Sequence, residues 1–424
     1  MKRNVCLLVL SLLISCTKLG DNRHVEREDL VLTKAQAGFV SYGNDFGLNL
    51  LKNQEDLDYR NLILSPLSTQ ISIGMLLPGA RGETAGEMVS ALGFGQDAEE
   101  TIQYLSTLSD QLKSMDKKTD FRISNALVIN SSSHVKILPS YQQTLSEFAD
   151  AEVFSGNFRS ESLVSEVNKW SSRNTDGMIP VLIDSKNPLS GSAVAILLNA
   201  LCFKSTWDKP FNNRLTLDAY FQTTDGVPVR LPMMNMQDYF RYYDDDRLQA
   251  LQMDYGNGAF VFTIILPREG VLLSDILAEL DDATLRSFNA SFQEMEVSVR
   301  IPKYKIEYSV DLIPMLKAAG IQRAFEPSIS SGPDEIVSGA DFGNMVSPSG
   351  GVFVSEVLQK ASFKLDEDGT EAAAITEVEI AATAPADGSS SRHKVFWANH
   401  PFLYMISERS SQAILFVGTF TGNK

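Results

Sequence analysis

Cysteine is nearly missing from this chain: among 424 residues only Cys6, Cys16 and Cys202 carry thiols. That number excludes the multi-bridge framework of small secreted domains, so stability has to come from packing. Histidine is almost as scarce, at four positions: His24, His134, His393 and His400. None belongs to an HExxH pair, and neither a GxSxG elbow nor a phosphate-cradling GxxxxGK[ST] loop occurs. No motif carries an enzyme reading, and neither a metal nor another cofactor is expected. Positive charge is the third deficit. Lysine and arginine total 37 against 53 acids, a net charge of −16 with no basic run. Such a chain is a poor match for a nucleic-acid backbone. It should also be repelled by anionic membranes unless a hydrophobic anchor holds it there. A repeat is lacking, and so is a mid-chain linker; the nearest loop-like composition is at 381–393. With 44% hydrophobic residues there is ample material for one large core, although length alone suggests two or three domains.

The N-terminus supplies an anchor. Lys2 and Arg3 form a short basic region, and residues 5–14 an apolar core too short to span a bilayer. The core ends in Leu13-Ile14-Ser15-Cys16, which resembles the lipobox of bacterial lipoprotein signals. That resemblance implies cleavage of residues 1–15, lipid modification of Cys16, and a flexible tether over 16–34 ahead of a domain at 35–424. It implies an exported, membrane-anchored lipoprotein of the outer membrane, facing the periplasm or the outside. Removing Lys2 and Arg3 takes the net charge from −16 to −18. Cys6 leaves with the signal, so Cys202, inside an apolar run, remains as a lone buried thiol.

Helical signals come first. Phe39, Phe46, Leu48, Leu50 and Leu51 lie in an amphipathic stretch that begins near Ala35. Ser65-Pro66-Leu67-Ser68 opens an apolar helix, with a serine able to cap and a proline suited to the first turn. Gly79-Ala-Arg-Gly82 breaks it, Glu83 begins another, and 99–116 reads as a further surface helix. Strand-like runs follow at 121–129, 193–203, 259–266, 296–301, 394–396 and 413–419. The run at 193–203 is apolar on both faces, as expected of a strand in the middle of a sheet. Helices first and strands later read as an α+β fold around a large sheet.

The most informative stretch is Glu367-Asp-Gly-Thr-Glu-Ala-Ala-Ala-Ile-Thr-Glu-Val-Glu-Ile380. Its even positions, Thr370, Ala372, Ala374, Thr376, Val378 and Ile380, are uncharged and small or β-branched. The charges after Gly369 fall on odd positions, Glu371, Glu377 and Glu379, beside Ala373 and Ile375. Period-2 alternation fits a strand with one face on a core. The segment nevertheless runs into Ala-Ala-Thr-Ala-Pro-Ala-Asp-Gly-Ser-Ser-Ser, which is loop composition. An edge strand followed by a linker, or a short alanine-rich helix, fits parity alone equally well.

Here the chain resembles the serpin family, from about residue 36 to 424. Glu367-Asp-Gly-Thr-Glu-Ala-Ala-Ala is similar to the hinge of inhibitory members. Asn61-Leu-Ile-Leu-Ser-Pro-Leu-Ser68 and Gly79-Ala-Arg-Gly82-Glu-Thr resemble the family's second helix and its end. Leu198-Asn199-Ala-Leu-Cys-Phe-Lys204-Ser-Thr-Trp207 resembles its central strand with the tryptophan above it. Pro302-Lys303, Ala340-Asp341-Phe342, Asn399-His400-Pro401-Phe402 and Gly418 follow in family order. The resemblance implies a large, mainly antiparallel central sheet, additional sheets, about eight or nine helices and an exposed reactive-centre loop at about 367–393. It implies a suicide inhibitor: a protease cuts the loop, and the loop then enters the sheet and traps the acyl-enzyme.

Residue by residue, the hinge becomes Glu367, Gly369, Thr370, Glu371, Ala372, Ala373, Ala374 and Thr376. Gly369 is the pivot, and Thr370 the first side chain to pass from solvent into the sheet. Lys303 and Glu367 match a charge pair where the sheet opens, below Trp207. Ser65, Ser68 and Asn199 match a polar cluster lower down, where Gln359 stands in place of a histidine common in the family. An amide both donates and accepts, so the cluster can persist, but a pH-dependent role of that histidine is put in doubt. Family spacing from Gly369 puts the scissile bond between Thr383 and Ala384. The small apolar run around it suits elastase-like or subtilisin-like serine proteases, or a broad papain-like cysteine protease. A monomer is implied, and a non-inhibitory serpin serving as a binding or chaperone module is the alternative.

Overall fold

A computed structural model describes residues 27–54, 57–93, 98–132, 135–149, 151–184, 194–332, 335–370 and 393–423. The expected signal, tether and Cys16 lie outside these residues, as do Glu371, Ala372, Ala373, Ala374, Thr376, Thr383 and Ala384. The first helix, Lys34–Lys52, starts at a reciprocal cap. The Thr33 hydroxyl accepts from the Gln36 amide at 3.2 Å, and the Gln36 side chain accepts from the Thr33 amide at 2.9 Å, satisfying two of the orphan donors of a helix start. The second helix, Pro66–Leu76, is capped by Ser65 and buried at every position. A helix buried on every face belongs inside a protein, and this one lies beneath the sheets as a core element.

Nine α-helices are present among the described residues. A nine-stranded sheet runs Leu62–Leu64, Ile414–Phe420, Phe402–Glu408, Phe260–Pro267, Leu248–Tyr255, Val229–Asp244, Gln293–Pro302, Lys394–Trp397, with Leu217–Phe221 paired to Val229–Asp244. It is antiparallel apart from its last link.

The six-stranded sheet runs Tyr304–Asp311, Val357–Leu365, Gly369–Thr370, Ala195–Thr206, Asp120–Asn130, Glu152–Gly156. Ala195–Thr206 is central, as its two-sided apolarity requires. Ile196, Leu198, Ala200 and Cys202 face a cluster with Trp170 of the helix Glu161–Asn174, whereas Leu197 and Phe203 join the main core. Cys202 is fully buried. This sheet is mainly antiparallel, with two parallel pairings, one of them between Asp120–Asn130 and Glu152–Gly156. Val357–Leu365 and Ala195–Thr206 pair directly and in parallel, from Val357 opposite Leu197 to Ala361 opposite Leu201. Two parallel neighbours leave room, topologically, for one strand of opposite direction between them.

Candidate functional site

Above Ala361 the two parallel strands part, and Gly369–Thr370 sits between them. Thr370 lies opposite Leu365 on one side and Ser205 on the other, antiparallel to both. Gly369 is required here. Its φ is +147°, and a β-carbon would fall 2.1 Å from the Ser205 carbonyl oxygen, a contact no side chain tolerates.

Thr370 is therefore not waiting in solvent. It is fully buried, with its hydroxyl 2.5 Å from that of Tyr255. Of the expected exposed loop at about 367–393, the first residues, Glu367 to Thr370, are packed in the same way, and 371–392 lie outside the described residues. The reason lies in their partners. Trp207 stacks on Tyr255, with ring centroids 4.4 Å apart and planes at 10°, and donates from Nε1 to the Asp366 carbonyl at 3.0 Å. The Trp207 amide donates to Asp368 at 2.8 Å and the Phe211 amide to Glu367 at 2.9 Å. Three bonds fix the turn that feeds Gly369 into the sheet, and leaving these carbonyls unpaired in a buried site would be costly.

Glu367 and Lys303 meet as their family positions imply, at 2.6 Å, and Thr216 adds a second donor at 2.7 Å. Burial pushes the Glu367 pKa up, but the hydrogen bonds from Lys303 and Thr216 outweigh it and hold it below the ordinary 4.5. A carboxylate with a lowered folded-state pKa contributes stability that is complete above its unfolded value and lost as pH falls through the folded one. The hinge anchor should thus hold at pH 5 and release only below 4.5. The rate at which the protein inactivates on standing, measured against pH, should rise below that point. The rise should be blunted in Glu367→Gln, and an equal rise in both proteins would remove Glu367 from this role.

The second cluster lies where the parallel ladder holds Gln359 opposite Asn199. Gln359 uses both ends of its amide: Oε1 accepts from the Ser65 amide at 3.1 Å, and Nε2 donates to the Ser65 carbonyl at 3.2 Å and the Thr69 hydroxyl at 3.0 Å. Asn199 accepts from the Ser68 hydroxyl and donates to Asn125 at 2.8 Å. One helix start therefore grips both strands, Gln359 through Ser65 and Thr69, Asn199 through Ser68. Separating the strands breaks one grip or the other.

Thr69, Asn125, Thr216 and Tyr255 were not legible as site residues. Thr69 follows Ser65 by one helical turn, which is a usable signal, whereas Tyr255 reaches Thr370 across 115 positions. His400 sits between the last strands and bonds Asn399 and the Pro267 carbonyl.

The profile of the Serpin (serine protease inhibitor) family matches residues 41–422. Intracellular coagulation inhibitor 2 of Tachypleus tridentatus is 32% identical, covering 89% of each chain. The native-state structure of the thermophilic serpin tengpin superposes with a TM-score of 0.79 at 26% identity, covering 93% of this chain and 96% of that one. Human thyroxine-binding globulin in complex with its ligand superposes at 0.78 with 29% identity, over 91% of this chain and 98% of that one. The family in general targets proteases, although some members are non-inhibitory, and its members are not themselves enzymes. The chain belongs to the serpin family.

Proposed function

We propose that this serpin is a suicide inhibitor whose cut loop becomes a strand of the six-stranded sheet. One observation carries the reading: Gly369–Thr370 is already seated, antiparallel, between two strands that pair in parallel below it. Antiparallel pairing is slightly the more stable per residue. Insertion would replace one parallel link by two antiparallel ones, a strand addition of which serpin loop insertion is itself a recognised example. About a dozen new ladder bonds, at roughly 0.5–1.5 kcal/mol each, release on the order of 10 kcal/mol. That rivals a domain's whole stability, so the uncut form is held kinetically.

In the reaction, the protease serine or cysteine attacks the Thr383 carbonyl. The bond to Ala384 breaks, Ala384 leaves as a protonated amine, and Thr383 remains as an ester or thioester. Insertion of the residues after Thr370 then pulls the protease along before water completes hydrolysis.

Incubation with elastase, subtilisin and papain should yield, with at least one, a complex that survives SDS. Mass spectrometry of the released C-terminal fragment should find it beginning at Ala384, or within 381–386. A stable complex cut after Arg392 would overturn both register and specificity. Similarity to thyroxine-binding globulin supports the other reading, a binding module, and clean cleavage with no complex would favour it.

The lipobox-like Leu13-Ile14-Ser15-Cys16 supports anchorage through an acylated Cys16, in the outer membrane, periplasmic or surface-facing. One acyl chain binds membranes only marginally, and several hold firmly. Cys16→Ala should move the protein to the soluble fraction, and unchanged membrane fractionation of that variant would refute the anchor.

A further inference from the structure

The seam between Val357–Leu365 and Ala195–Thr206 is held from both of its faces. On the inner face, Ser65 and Ser68 of one helix start grip the two strands. Over the outer face lies a layer made of the helix Glu161–Asn174 and the segment 175–184 that follows it. Asp176 and Gly177, at φ +51° and +78°, turn the chain back at the helix end. Asn168 then ties the segment to the helix. Its Oδ1 accepts from the Leu182 and Ile183 amides at 2.8 and 2.9 Å, and its Nδ2 donates to the Ile183 carbonyl at 2.9 Å. Helix and segment are thus one piece.

The apolar side chains of that piece sit on one side of the seam. Trp170, Met178 and Leu182 share a buried cluster with Val128 of Asp120–Asn130 and with Leu198 and Cys202 of Ala195–Thr206. Among the described residues, no member of this cluster comes from Val357–Leu365. Lys204 adds an ion pair to Asp176 at 2.7 Å, again from Ala195–Thr206. Toward Val357–Leu365 the layer reaches through a polar contact, in which Lys360 Nζ donates to the Val181 carbonyl. Lys360 lies opposite Ala200 in the parallel ladder, so this bond spans the seam. A strand entering there would take the two strands from about 4.8 Å apart to about twice that spacing, further than a hydrogen bond stretches. The apolar cluster keeps the layer on Ala195–Thr206, and the bond from Lys360 is the one that gives way.

We propose that Lys360 is a latch that ties the outer layer across the seam and holds the uncut sheet closed. Its purpose rests on the seam being the place where the loop enters, but the latch itself acts before any protease arrives. It works from the face opposite Gln359, its neighbour in the chain, so adjacent residues hold the same strand from above and below. Losing either hold should open the seam locally and leave the rest of the fold as it is.

Native-state hydrogen exchange of the uncut full chain reads that opening amide by amide. Lys360→Met keeps most of the stem and removes the donor. In it the amides of the 357–361 and 197–201 ladder should exchange about fivefold faster, while those of Leu248–Tyr255 stay as in the parent. Inactivation on standing should quicken by a similar factor. Lys360→Arg, which keeps a donor, should fall close to the parent. Lys305→Met removes an ion pair to Glu307 within its own strand and should leave the seam unchanged. If Lys360→Met does not fold, Lys360→Gln, too short to reach the carbonyl, decides. Seam exchange equal to the parent's in a folded Lys360→Met or Lys360→Gln, or a rise shared by the whole molecule, would overturn the latch. Failure of the parent to trap any protease would refute the inhibitor reading instead, and the exchange would still decide the latch.

Discussion

Ala374→Arg is expected to turn the inhibitor into a substrate. If the register set by Thr370 against Leu365 and Ser205 continues after cleavage, Ala374 comes level with Ala361 and Leu201. By parity it then shares the buried face of Thr370. An arginine there drags an unpaired cation into the core, a penalty of several kcal/mol. After acylation, insertion competes with hydrolysis, and every ~1.4 kcal/mol added to the insertion barrier shifts that partition about tenfold toward release. The variant should be cleaved as fast as the parent while forming at least about a hundredfold less SDS-stable complex. Glu371→Arg, on the opposite parity, should trap as the parent does. Thr370→Arg is a poorer test, because Thr370 is already buried against Tyr255 and the substitution would damage the uncut form itself. Equal trapping by Ala374→Arg and the parent would mean that this face does not enter the sheet.

Gln359→Leu should shorten the inhibitor's working life. Leucine matches the glutamine's bulk but leaves the buried Ser65 amide without its acceptor and removes the donor to Thr69. The loss is about 3 kcal/mol. It falls on the closed sheet and not on the opened one, where Gln359 has already parted from Ser65. Spontaneous insertion should accelerate by about two orders of magnitude. Inhibitory half-life at raised temperature measures this, with far-UV dichroism confirming that the fresh protein is folded. Continuing the same register brings Thr376 level with Gln359 and Asn199, so the grip must be released for insertion to pass midway. An unchanged half-life would place the rate-limiting step elsewhere.

Much of the scaffold was readable because its causes are local. Ser65 before Pro66 is a helix start in any context, and two-sided apolarity from Ile196 to Phe203 demands a strand covered on both faces. The family motifs then aligned Lys303 with Glu367 and Ser68 with Asn199, contacts spanning 64 and 131 positions that no periodicity announces. Gln359 was legible as a departure from the family, but its double grip on Ser65 was not, because amide orientation answers to whichever donors the fold brings near.

The sequence by itself determined the alternation from Thr370 onward and the scarcity of thiols that leaves packing to hold the fold. Only the tertiary structure decided that Thr370 is already inside the sheet, and that the neighbouring strands run parallel with a place between them. The reason is physical. Alternation and backbone freedom are properties of adjacent residues. Whether a short segment lies in or out of a sheet depends on the partners waiting there, here Tyr255, Trp207 and Ser205, and those meet only once the chain has folded.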